Sequence, residues 1–381
     1  MPSPPLVVFS HLRWDFVYQR PQHLLSRFAE EQAVFVIEEP IHDPDAAPHW
    51  ERQAPRPQLT VCRPHTPCPE WGFGDAQLPH LKVLIERLVG EENLKRCLVW
   101  LYTPMALPLI GVFEPELLIY DCMDELSAFD FAPPQLVERE RELLDRADVV
   151  FTGGPSLYRV KQGLHPNVHL FPSSVDTKHF RQALNGLPEP QDQAGLPHPR
   201  LGYFGVIDER LDLMLLAHLA AVHPEWQIIM IGPVVKIDPA ALPQAPNLHY
   251  LGQRSYETLP AYLAGWDLCL LPFARNAATR FISPTKTLEY MAAERPIVST
   301  PITDVQEPYG DIVYLGDTSE AFVRACERAL ASPQEERVLR GEKMRAVLKK
   351  TSWGATVAAM QQSIREARER RPSPDSARSA S

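Results

Sequence analysis

Short apolar, β-branched runs alternate with amphipathic stretches of helical period from the first residues of the chain onward. Segments 6–10, 33–39, 59–64, 96–103, 117–124, 148–154 and 167–174 predict strands, and 21–32 and 133–147 predict helices among them. Strands that read as unbroken apolar runs belong to a parallel sheet covered on both faces. A proline-rich stretch, 182–199, interrupts the pattern, which then restarts. Segments 200–205, 226–232, 248–253, 267–273, 296–300 and 312–316 predict a second set of strands, with helices at 212–224 and 255–266.

The expected fold is α/β, with two doubly wound, Rossmann-like domains at 1–181 and 200–350 joined by a linker at 182–199. A helix at 351–370 closes the chain, and 371–381 is too polar and too rich in Pro and Ser to pack. Two such domains are expected to face each other across a ligand cleft.

Composition narrows the picture. The 381 residues suffice for two cores, and 45% hydrophobic with 23% charged residues suits a globular protein in water. A net charge of −10 argues against a nucleic-acid partner, which would need a basic footprint. The basic segment 337–350 reads as a solvated helix face rather than a binding surface. Six cysteines without a CxxC pair suggest a reduced, cytoplasmic protein, with Cys97, Cys122 and Cys269 as small buried hydrophobes. Neither a signal-peptide pattern nor an apolar run of about 18 residues is present, so no membrane span is expected. Peripheral contact with the inner face of a membrane stays open.

The chemistry concentrates in SPTKTLEYMAAERPIVSTP, residues 283–301. Ser283 suits a helix N-cap and Pro284 the first helical position. Leu288, Met291 and Ala292 share one apolar face, while Thr285, Lys286 and Glu289 neighbour one another off it. A helix start offers free N–H groups to phosphate, Lys286 adds a charge, and a carboxylate can accept two hydrogen bonds from a ribose diol. The bland alternative is a Lys286–Glu289 surface pair on an exposed helix.

These residues resemble the donor-site helix of retaining GT-B glycosyltransferases, family 4 in particular, whose pattern is Glu, seven residues, Glu, then AMAAGxPVVAS. FPSSVDTKHF (171–180), LGYFGVIDERLDLMLL (201–216) and YLGQRSYETLPAYLAGWDLCLLPF (250–273) resemble the family's domain crossover, its glycine turn and the run before the donor helix. SHLRWDFVYQRPQHLLSRFA (10–29) with YDCMDELSAF (120–129) is similar to a bacterial subgroup of surface-polysaccharide assembly, teichuronic-acid enzymes included. The resemblance spans roughly residues 5 to 370.

It implies a GT-B glycosyltransferase that moves a sugar from a UDP- or GDP-linked donor to a glycan or lipid-linked acceptor with retention, needing neither metal nor cofactor. Glu289 then holds the donor ribose, and Lys286 and Arg210 serve the diphosphate, with Lys236 a weaker choice. Gly205, Ser283, Thr285 and Ile282 complete the donor set. Phe281 occupies the place of the first glutamate, which leaves retention open, and Val206 that of the family's arginine. Backbone groups of Phe281, Ile282 and Ser283 are the substitutes on offer. Glu294 replaces the family glycine after MAA, read as a solvent-facing change. A nucleotide-sugar 2-epimerase and a non-catalytic nucleotide-sugar-binding partner are the alternatives.

For the acceptor, the loop after the first strand supplies His11, Arg13, Trp14, Asp15, Arg20, Gln22 and His23, at the strand end where α/β sheets bind ligands. At the end of another strand, Asp124 is the candidate base for the acceptor hydroxyl and Asp121 its orienter; the alternative is that both cap the next helix. Asp43–Pro44–Asp45 looks like the metal-binding DxD of another glycosyltransferase fold, but a bare tripeptide is weak evidence, and it is set aside as a metal site.

Overall fold

The computed structural model describes residues 3–130 and 132–371, so the expected polar tail falls outside the described residues except for Arg371. The chain divides into two compact units, residues 1–172 with 354–381, and residues 173–353.

In the first unit, among the described residues, nine strands form one sheet: β1 Leu6–Ser10, β2 Val34–Glu38, β3 Ile41–His42, β4 His49–Arg56, β5 Leu59–Thr66, β6 Leu98–Leu101, β7 Leu117–Cys122, β8 Val149–Thr152 and β9 Val168–Leu170. Their order is β3-β5-β2-β1-β6-β7-β8-β9, with β4 pairing β5. Every pair is parallel except β4 with β5. Every residue of β1, β2, β6, β7 and β8 is buried, as unbroken apolar runs require. The β4 strand has no counterpart in the sequence reading. HWERQAPR is polar and carries Pro55, features tolerated only at an edge, and its partner hydrogen bonds come from β5.

The second unit has six parallel strands among the described residues: β10 Arg200–Phe204, β11 Gln227–Ile231, β12 Leu248–Gly252, β13 Leu268–Leu271, β14 Ile297–Ser299 and β15 Tyr314–Leu315. Their order, β12-β11-β10-β13-β14-β15, is that of a dinucleotide-binding fold, with the chain reversing direction between β10 and β13. The first sheet reverses likewise between β1 and β6.

Two boundaries differ from the sequence reading. The break falls between Pro172 and Ser173, and the proline-rich 182–199 stretch is a packed part of the second unit. Gln193 is fully buried there, accepting from Trp266 Nε1 at 2.8 Å and donating to Tyr262 O at 3.1 Å. Asp192 accepts from Arg254 at 2.6 Å and from the Tyr262 hydroxyl at 2.9 Å. Proline signals irregular backbone; whether that backbone is tethered depends on side chains elsewhere. The closing helix, Trp353–Arg370, returns the chain to the first unit from Gly354, where Arg368 pairs with Glu116 at 2.7 Å.

The basic 337–350 segment lies on helix Gln334–Leu348, where Arg340 pairs Glu336, Lys343 pairs Asp311 and Arg345 pairs Glu294. Glu294 is therefore a half-buried ion-pair partner, not a solvent-facing residue, and its φ of 51° is the left-handed conformation that favours glycine. All six cysteines are buried free thiols, and burial pushes Cys62 and Cys97 up to about 12. No helix among the described residues is long and apolar enough to cross a membrane.

Packing in the second unit turns on Gly202 in β10, where an added Cβ would lie 2.0 Å from the Trp266 ring. Both are buried in the core, so neither can yield cheaply. We expect Gly202→Ala to cost about 1–3 kcal/mol through overpacking, read as a lower melting temperature of the purified protein.

Candidate functional site

In the second unit the candidate residues gather at the C-terminal ends of β10 and β13, the switch point where such sheets bind ligands. Backbone contacts tie the two loops there: Ala274 N donates to Arg210 O at 2.8 Å, and Asn276 Nδ2 donates to Glu209 O at 2.9 Å. The loop from β13 leads into helix Thr285–Ala292. Its N-cap is Pro284 rather than Ser283, and no side chain caps it. Proline fixes φ without offering a side-chain acceptor, so the first N–H groups are left to other partners.

Glu289 is buried, 8% exposed, which removes the surface-pair alternative. Burial pushes its carboxyl up to about 7 from the ordinary 4.5, against the opposing pull of Lys286. Ile282 is buried beside this helix start, while Ser283, Thr285 and Lys286 are half-buried. Lys286 reaches back to the loop after β10. Its Nζ lies 5.4 Å from the centre of the Tyr203 ring, and a Cβ on Gly205 would meet its Cε at 2.1 Å. Gly205, at φ 136°, thus makes room for the lysine, and Gly232, at φ 149°, packs on the Gly205 carbonyl.

Arg210 is turned toward its own loop. Its Nε and Nη2 donate to the buried Asp208 carboxylate at 2.9 and 2.6 Å. Its charge still reaches the Tyr203 phenol, which burial otherwise pushes well up. Lys286 thus lies over the Tyr203 ring, and the charge of Arg210 acts on the same phenol. Asp208 and Tyr203 went unnoticed in the sequence because a carboxylate beside an arginine is common and a strand tyrosine reads as core.

In the first unit the loop after β1 lies at that sheet's switch point, but most of its charged residues hold the loop itself. Glu38, completely buried at the end of β2, accepts from Trp14 N at 2.6 Å, Arg13 Nη1 at 3.2 Å and Arg63 Nε at 2.7 Å. Arg63 also reaches Asp15 at 3.2 Å. Gln22, buried, donates to Trp14 O at 2.8 Å and Val17 O at 3.0 Å. His23 is buried edge-on to Tyr18, and Arg20 is 2% exposed. Arg20, His23 and Arg13 are thus corrected from acceptor contacts to supports of the loop. His11 and Trp14 are half-buried and Asp15 is exposed. The signal that could have found Glu38 is a carboxylate ending an otherwise apolar strand.

Asp121 is also corrected. It is fully buried and takes both Arg20 Nη2 at 2.9 Å and Arg20 Nε at 3.2 Å, while Arg20 Nη1 donates to Phe171 O at 2.7 Å. It neither caps a helix nor reaches solvent. The short helix that follows, Leu126–Ala128, has Glu125 at its N-cap and no side-chain cap bond. Asp124 is half-buried, and its charge acts on Arg20. Glu125 and Glu140 bind the buried Lys161 at 2.9 and 2.7 Å.

The family described as "Glycosyl transferases group 1" matches residues 198–332, inside the second unit. Sucrose-phosphate synthase from Thermosynechococcus elongatus superposes with a TM-score of 0.69 over 95% of this chain and 98% of its own, at 16% identity. The UDP-forming α,α-trehalose-phosphate synthase from Burkholderia vietnamiensis gives 0.69 over 96% of this chain and 100% of its own, at 13% identity. The chain is a glycosyltransferase of the GT-B fold. In sequence it is 25% identical, over 277 residues covering 67% of this chain and 69% of the relative, to TuaH of Bacillus subtilis (strain 168), named as a teichuronic acid biosynthesis glycosyltransferase.

For this glycosyltransferase the raised Glu289 pKa has a stability consequence. The folded state holds that proton more tightly than the unfolded chain, so Glu289 contributes fully below about 4.5. The contribution, on the order of 3 kcal/mol, is lost as pH rises to about 7 and is constant above. Denaturant titrations of the ligand-free protein across this range should show wild type losing stability relative to Glu289→Gln, which carries no such proton.

Proposed function

We propose that the enzyme transfers a sugar from a UDP- or GDP-linked donor to a glycan or lipid-linked acceptor in the synthesis of a bacterial surface polysaccharide or glycolipid. The observation that carries this reading is the buried Glu289 held one turn from Lys286, whose side chain packs on Gly205 at the β10–β13 switch point. A desolvated carboxylate is matched to a vicinal diol, whose two hydroxyls donate to it in place of water. Lys286 and the N–H groups after Pro284 supply the positive end that a diphosphate needs. Arg210 contributes a field rather than a contact while Asp208 holds it. The sugar then lies toward Phe281 and Ile282, where backbone groups replace the absent glutamate. The name of the TuaH relative supports the polysaccharide setting.

On the acceptor side, Asp124 takes the proton of the attacking hydroxyl, and the Arg20–Asp121 pair fixes the strand end that carries it. The transfer proceeds with retention and without a metal ion. A lipid-linked acceptor is met by peripheral contact at the cytoplasmic face of the membrane.

A thermal-shift panel of UDP- and GDP-sugars identifies the donor, since binding to the folded state raises the melting temperature. Losing a hydrogen bond to a charged group costs about 1.5–3 kcal/mol, so Glu289→Ala should weaken that donor by about one to two decades. Asp124→Asn should leave donor affinity unchanged while turnover with acceptor falls about 10²–10⁴-fold. Unchanged donor affinity in the Glu289 variant would remove that residue from the site. Epimerised donor formed without acceptor would make the enzyme an isomerase, and tight binding without turnover would make it a binding partner.

A further inference from the structure

The β3–β5–β4 edge of the first unit brings together three side chains that the sequence keeps apart. His65 lies on β5 with Ile41 of β3 as its partner on one side and His49 of β4 on the other. Asp43 follows β3, its N–H donating to Thr66 O at 2.8 Å. One ligand atom from each of Asp43, His49 and His65 falls in a group with all separations within 4.8 Å.

The hydrogen bonds around His65 decide what this group can hold. Its Nε2 lies 3.1 Å from Glu51 Oε2. An ionised carboxylate only accepts, so Nε2 carries the hydrogen and Nδ1 the lone pair. That lone pair sits 3.8 Å from Asp43 Oδ2, a second acceptor. Two acceptors so placed are bridged by a proton, by a water donating to both, or by a metal ion. A carboxylate on the far nitrogen of an imidazole is also the outer-shell partner that orients a metal-bound histidine and raises its basicity.

His49 is the adjustable member. It is exposed at the start of an edge strand, its Nδ1 donating to Ala47 O at 3.0 Å, so its Nε2 holds the lone pair. Its ring stacks on His65 with centroids 4.7 Å apart and planes 19° apart. Parallel rings cannot both aim in-plane lone pairs at one ion, so His49 must swing about its side-chain torsions. Its exposure leaves the stack on His65 and the bond to Ala47 O as the contacts that must give way.

We propose that Asp43, His49 and His65 bind a borderline transition metal ion such as Zn(II), with Glu51 as the outer partner of His65. Two imidazoles and one carboxylate suit Zn(II), and solvent fills the remaining position of a tetrahedral shell. The sugar-transfer chemistry does not pass through this ion. It clips the polar β4 strand to the sheet, and beyond Glu51 the contacts run through Arg63 to Glu38, which holds the loop after β1. Asp45, the other acid of the tripeptide set aside above, takes no part.

The test is calorimetric titration of ZnCl2 into tag-free, full-length protein, with CoCl2 spectra reporting the ligand geometry. Saturable uptake of one ion per chain is expected, at least tenfold weaker in both His49→Ala and His65→Ala. Glu51→Gln should weaken it about 10–100-fold, as loss of an outer-shell partner does. His49→Ala decides alone should His65→Ala fail to fold. Absence of saturable uptake, or a site retained in either histidine variant, would overturn the proposal.

Discussion

A parallel sheet covered on both faces leaves polar chemistry only one kind of place to go, the loops at its ends. The inner strands of both units here are buried along their whole length, so their side chains are committed to packing. Where the strand order reverses, two neighbouring loops diverge to opposite faces and a crevice opens. Gly205 and Lys286 gather at one such reversal, and the loop of His11 to Gln19 occupies the other. The location of the candidate chemistry is thus a consequence of topology before it is a matter of particular residues.

Desolvation then sorts the charged residues at those ends. Arg20–Asp121 and Lys161–Glu140 are closed pairs, each charge matched by its partner, and such pairs hold backbone in place rather than engage ligands. Glu38 is closed by three donors in the same way. Glu289 differs. Lys286 offsets only part of its burial, and its pKa rises as a result. A buried carboxylate whose charge the protein compensates only in part is suited to a ligand that brings its own donors.

The fold was largely legible in the sequence. Thirteen of the strand segments were expected, because continuous apolar runs between amphipathic helices leave few alternatives, and only the polar edge strands β3 and β4 lacked that signal. The helix Thr285–Ala292 was legible for a similar local reason, since a proline ahead of residues of helical period marks a helix start. The acceptor loop was not. Arg13, Arg20 and Asp121 are polar in sequence but sit on partners 25 to 151 positions away, and no local pattern reports that. The 182–199 stretch shows the same limit, its prolines visible but its anchoring on Trp266 and Tyr262 not.

The sequence by itself determined the two parallel sheets and the helix that carries Lys286 and Glu289, because periodicity and short-range spacing carry that information, and its resemblance to a family implied the enzyme class. Tertiary structure alone decided which charges are closed and which remain available. It buried Glu289, turned Arg210 onto Asp208, enclosed Asp121 with Arg20 and lined up Asp43, His49 and His65 across three strands. The physical reason is that burial and pairing depend on groups distant in the chain, and the free energy of a charge is set by those neighbours rather than by its own identity.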